Sequence, residues 1–70
     1  MKMKDVIASG ELSGYQNEAP DGVGAQIDSE VASESKCTEC GGNMCYEPWI
    51  CAGSYRAFAV CAKCDECFEF

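Results

Sequence analysis

Two cysteine pairs of identical spacing, Cys37-x2-Cys40 and Cys61-x2-Cys64, stand twenty residues apart in a chain of 70. A tight turn with cysteines three apart lets both sulfurs face one point. Two such turns, joined by a hairpin, complete a tetrahedron of sulfurs about 2.3 Å from a single zinc ion. The interval falls at the upper edge of the spacing expected for a four-cysteine zinc site. Gly41 and Gly42 follow the first pair, and glycine permits the backbone dihedrals that turn amides toward thiolates. A chain of this length buries too little apolar surface to be comfortably stable alone. One zinc ion adds on the order of 10 kcal/mol of folding energy in small modules of this kind.

Cysteine crowding has a second common cause, disulfides in secreted proteins. The apolar run near the N-terminus extends only from Val6 to Ala8, shorter than a secretory signal requires. No apolar run approaches the roughly 20 residues of a membrane span. The expectation is a soluble cytoplasmic protein with reduced thiols. The count of 7 cysteines also argues against a fully paired disulfide framework. Cys45, Cys51 and Cys67 are left over. They read as small buried hydrophobes, as a substitute ligand in the case of Cys67 (three residues after Cys64), or as a disulfide or reactive pair such as Cys45–Cys51 or Cys45–Cys67. With no histidine and mostly acidic charges nearby, nothing is built to lower their pKa.

Composition shifts at about Lys36. Residues 1–36 form an acidic, Gly/Ser-rich arm, expected to be partly disordered or ordered by a partner. Residues 37–70 hold every Cys, every Phe, the sole Trp and two of the three Tyr. In the arm, Asp5 to Tyr15 reads as a short strand or irregular segment, and Asn17 to Gly22 as a turn or loop. Ile27, Val31 and Ala32 make a meagre apolar stripe for a helix over Gly24 to Ser35. In the second half, Asn43 to Ile50 is β-compatible, but Pro48 lacks a ladder donor, so it reads as an edge or interrupted strand. Ala52-Gly53-Ser54 is a hairpin turn. Tyr55 to Val60 is the clearest strand, with Phe58 and Val60 on one face and Tyr55, Ala57 and Ala59 on the other. Cys67 to Phe70 is a short terminal strand with Phe68 and Phe70 on one side.

The segment from Cys37 to Phe70 resembles a zinc ribbon: a CxxCGG turn, a β-hairpin, a CxxC turn and a closing strand. The fold class expected is therefore a small, metal-stabilised β structure, a ribbon of one hairpin plus a short closing strand, with an irregular N-terminal arm. The resemblance implies one zinc per chain on Cys37, Cys40, Cys61 and Cys64. It implies little about activity, because ribbons serve many functions. The second turn, Cys61-Ala62-Lys63-Cys64-Asp65-Glu66, lacks the glycine often found after the second pair in this family. Cys37-Thr38-Glu39-Cys40-Gly41, with Tyr46 nearby, also faintly resembles a rubredoxin, although the interval between pairs is short for one.

Charge and composition then sort the function classes. The formal charge is −7, from 12 acids against 5 bases, and four thiolates on one zinc ion add a further −2. Nucleic-acid binding depends on Lys and Arg displacing counterions. The five bases here are scattered, so a protein partner with a basic surface is the better match. The absence of histidine and a closed four-sulfur site argue against an enzyme. The leading reading is a zinc-binding protein–protein interaction module: a small regulator, inhibitor or assembly factor acting on a larger protein. Its aromatics are numerous for so thin a ribbon. Trp49, near the hairpin tip, is the first candidate contact, with Tyr46, Tyr55 and Phe70 beside it. Phe58 and Phe68 read as core. The alternatives are a rubredoxin-like iron carrier or zinc–thiolate redox switch, and a nucleic-acid-binding ribbon. The aromatic face could also pair with itself in a homodimer.

Overall fold

The computed structural model describes residues 1–19 and 22–70. Helices α1 (Met3–Ala8) and α2 (Val23–Glu34) precede three strands, β1 (Met44–Cys51), β2 (Ser54–Cys61) and β3 (Cys67–Glu69). The strands form one antiparallel sheet in the order β1-β2-β3. Of the loop expected over residues 17–22, Pro20 and Asp21 lie outside the described residues.

The hairpin forms as the sequence implies. β1 and β2 pair from Met44↔Cys61 to Cys51↔Ser54, which leaves Ala52 and Gly53 as the turn. Pro48 lies on β1, an edge strand, where a missing N–H costs no ladder bond. The rest of that edge is also occupied in part. Ile50 exchanges backbone hydrogen bonds with Gln16, and the Met44 N–H donates to the Ser35 carbonyl. Such local cover blunts an edge that another chain could otherwise extend.

Alternation along β2 divides the interior into two layers. Phe58 and Val60 pack with Cys67 of β3 and with Met3, Val6 and Leu12 from α1 and the turn after it. Ala59 and Cys61 point the other way and pack with Met44, Cys37 and Ala32 of α2. Helix α1 thus covers one face of the sheet and α2 the other. The two β2 faces are those expected from the sequence.

Residues 1–36 depart from the irregular arm expected for them, because they supply both helices. Nor does residue 36 separate two cores: Met3 and Val6 share a layer with Phe58 and Val60. The sequence conceals the helices because each buries little. Helix α1 has six residues and buries Met3 and Val6. In α2 the fully buried side chain, among those described, is Ala32 at 0% exposure, while Ile27 and Val31 remain 54% and 44% exposed. Of the meagre stripe, Ala32 docks and the two larger residues do not. Phe68 is a second correction. Phe58 is fully buried, but Phe68 is 42% exposed, since it sits on β3, a three-residue edge strand, and faces away from the α1 layer. There it meets Phe70 edge to face, with ring centroids 5.6 Å apart.

Candidate metal centre

The four cysteines of the paired motif converge. One sulfur from each of Cys37, Cys40, Cys61 and Cys64 lies within 4.8 Å of the other three. Cys37 and Cys64 approach to 3.4 Å, as do Cys40 and Cys61. A tetrahedron of sulfurs at the zinc–thiolate distance has edges of about 3.8 Å, so the cluster has the size of a four-thiolate metal shell. A disulfide needs about 2.05 Å, and all seven cysteines are free thiols. The cluster can hold a metal ion.

The two turns that carry these sulfurs are built alike. The Gly41 N–H donates to the Cys37 carbonyl at 2.9 Å, and the Asp65 N–H to the Cys61 carbonyl at 3.2 Å. The Cys37 N–H donates to the Gly42 carbonyl, and the Cys61 N–H to the Glu66 carbonyl. The Glu39 N–H points at the Cys37 sulfur and the Lys63 N–H at the Cys61 sulfur, each at 3.4 Å. The fourth residue after the leading cysteine is left-handed in both turns, Gly41 at φ 73° and Asp65 at φ 67°. The missing glycine therefore leaves the second turn's geometry intact. Asp65 adopts the conformation instead, and Asp enters that region more readily than most residues.

Gly42 follows in the first turn, where a Cβ would lie in contact, 3.4 Å from the sulfurs of both Cys40 and Cys61.

The backbone donors tune the thiols. Amides of Cys64 and Lys63 hold Cys61 down to about 6. The Cys40 amide is the main cause of a lowered Cys37, with Glu39 assisting. Cys40 and Cys64 also receive backbone help, from Gly42 and Glu66. The adjoining Cys61 and Cys37 sulfurs nevertheless drive them up, Cys64 to about 12. Four thiols in so small a space cannot all ionise unless a cation joins them. Cys37 and Cys61 are buried, Cys64 is partly covered and Cys40 lies at the surface, so the cluster opens to solvent on the Cys40 side.

The other cysteines lie apart from the cluster. Cys67 is buried in the α1 layer, where burial pushes its thiol up. Cys45 is exposed, and Cys51 ends β1 partly covered.

The aromatic candidates divide. Trp49 is partly buried against the α1 layer. Its indole Nε1 is buried without a hydrogen-bond partner. Burial raises the Glu47 carboxyl; the Trp49 indole pulls the other way, but the pair falls short of ordinary hydrogen-bond geometry. Tyr46 packs beside the cysteine layer, and its hydroxyl meets that of Tyr55. The Tyr55 hydroxyl also donates to Asp28 at 3.0 Å. Burial, then these two partners, raise the Tyr55 phenol. Tyr55 and Phe70 are 41% and 42% exposed.

Asp65 is the residue whose role the sequence did not announce. Its carbonyl accepts from the Met3 N–H at 2.9 Å, and its carboxylate from the Lys4 N–H at 2.8 Å. A single residue of the second turn thereby caps the first turn of α1.

The fold and site together define a small antiparallel three-stranded sheet with four cysteines positioned for metal binding. No family model, curated protein or solved structure matches the chain. No helix among the described residues is long and apolar enough to cross a membrane.

Proposed function

We propose that this chain is a zinc-binding interaction module of the zinc-ribbon type, with Cys37, Cys40, Cys61 and Cys64 as ligands of one zinc ion. The observation that carries this reading is the convergence of the four sulfurs within 4.8 Å, on two turns with matched N–H···S contacts. Zinc is favoured by an all-thiolate tetrahedral donor set. Four protein ligands fill that shell and leave no position for a substrate or activated water, so the metal is structural and the module is not an enzyme. Its role is to hold the two turns, and with them the sheet, in one arrangement. Reduced thiols fit a cytoplasmic setting.

The functional surface is protein-binding. Tyr55, Phe68 and Phe70 are exposed aromatics on so small a body, and aromatic anchors dominate the energetics of many interfaces. A net charge of −7 favours a partner with a basic surface and disfavours nucleic acid. A regulator, inhibitor or assembly factor of a larger protein fits these features.

Native mass spectrometry with elemental analysis tests the metal. The expected result is one zinc per chain, a colourless protein, and a thiol reagent that reaches the exposed Cys45 while the four ligand cysteines are protected. Stoichiometric iron with visible absorption would move the chain to electron transfer. A metal-free folded chain in which Cys40 and Cys64 react as readily as Cys45 would end the reading.

A further inference from the structure

Helix α1 is too short to persist unaided. Its six residues are about half the length at which even good isolated helices become marginal. Its N-cap residue, Lys2, provides no side-chain cap. Four N–H groups of its first turn nonetheless have acceptors. Asp5 and Val6 donate to the Lys2 carbonyl, and Met3 and Lys4 donate to the carbonyl and carboxylate of Asp65. Lys2 is tied to the same turn, through Nζ to the Cys64 carbonyl at 3.0 Å and to Glu66 at 3.4 Å. A carboxylate at a helix start also complements the positive end of the helix dipole.

Asp65 can do this only while its own backbone is left-handed. That conformation is disfavoured for a residue with a Cβ and persists where the surroundings impose it. The turn imposes it, through the Asp65 N–H to Cys61 carbonyl bond and the anchoring of Cys61 and Cys64 in one cluster. When Cys61 and Cys64 are not held together, the cap carbonyl and the cap carboxylate are lost together, because they belong to one residue. The metal cluster packs on the α2 side of the sheet and α1 covers the opposite face, so the connection runs around the edge of the sheet at β3.

We propose, resting on the zinc reading above, that the turn Cys61–Glu66 makes α1 a readout of metal occupancy. Zinc on one face of the sheet fixes α1 over the other, and zinc loss releases α1 and bares Phe58, Val60 and Cys67. Coupling of this kind is reciprocal: undocking α1 must in turn loosen the zinc.

The test compares the zinc-loaded full chain with Asp65→Gly, Val6→Ser and the double variant. Glycine keeps the left-handed turn, as Gly41 does in the first turn, and deletes only the carboxylate cap. Asp65→Gly is expected to retain one zinc per chain while amide exchange in α1 quickens about fivefold, the size of one lost cap, with the hairpin amides unchanged. Val6→Ser is expected to speed zinc release to a chelator, and to do so less in the Asp65→Gly background, as a double-mutant cycle reports for coupled groups. Unchanged α1 exchange in Asp65→Gly overturns the proposal. So does an effect of Val6→Ser on zinc release that is absent, or equal in both backgrounds. A wild-type chain that binds no zinc is a different result: it removes the metal reading itself and the proposal with it.

Discussion

The two cysteine turns share a backbone and differ in what they hold. In the first, Gly41 adopts φ 73° without the penalty of a Cβ, and the turn leads from α2 into β1 through the Ser35–Met44 backbone bond and the Lys36–Asn43 bridge. In the second, Asp65 adopts φ 67° at some conformational cost, and its side chain does what glycine cannot: it accepts from the N-terminus of α1. Similar geometry therefore need not mean similar duty. A glycine marks a turn that only has to be made. A residue with a side chain at the equivalent position marks one that also binds something.

The largest expected effect tests whether the turns are equivalent toward the metal. Cys37→Ser and Cys61→Ser should each abolish stoichiometric zinc and strongly destabilise the fold, α1 first, because metal adds on the order of 10 kcal/mol of folding energy in such modules. Circular dichroism with metal analysis reads this. Loss of metal from only one of the two variants would break the equivalence. Next comes the layer that the second turn holds beneath α1. Phe58 is 0% exposed, and Phe58→Ala should cost about 3–5 kcal/mol in denaturant unfolding of the loaded chain. A cost below about 1 kcal/mol would mean that the α1 layer contributes little to the fold.

A reciprocal exchange sharpens the comparison at smaller scale. Gly41→Asp should destabilise by about 1 kcal/mol, since the left-handed cost appears with no helix for the new side chain to cap. Asp65→Gly relieves that cost while losing a cap worth about 1 kcal/mol, so its global stability should stay close to that of the parent. Equal and large losses in both variants would contradict the division of duties. The smallest effect belongs to the Arg56–Glu69 pair, a two-point contact at 2.9 and 2.7 Å between β2 and β3, beyond the reach of the turns. The Arg56 hydrogen bonds hold the Glu69 carboxyl below its ordinary value. Its contribution is therefore fully present above the usual glutamate range and is lost as pH falls through the lowered pKa. Exposure limits it to under about 1 kcal/mol. Unfolding of Glu69→Gln across that pH range should lack this component, and an unchanged pH dependence would remove Glu69 as its source.

The β half of the molecule was legible in the sequence. Pro48 marked an edge strand, alternation assigned Phe58 and Val60 to one face and Ala59 to the other, and the repeated spacing selected four cysteines that the structure brings together. These are local signals, each fixed by a period of two, a missing donor or a tight turn. Helix α1 was not legible, because it is too short to show a period, and α2 showed only as a meagre stripe over Gly24 to Ser35, because it docks through Ala32 rather than through its larger apolar residues. Phe68 was misread as core because aromatic character does not reveal which side of an edge strand is covered.

The sequence by itself determined the convergence of the four sulfurs and the hairpin between them, since both follow from spacing and turn chemistry along a short stretch of chain. Tertiary structure alone decided that Met3 and Val6 cover Phe58, that Cys67 lies in their layer rather than with the other sulfurs, and that Asp65 caps a helix 61 residues away in sequence. Those outcomes depend on contacts between segments distant along the chain. No local period or spacing encodes them, because each is settled only when the sheet has two faces to be covered.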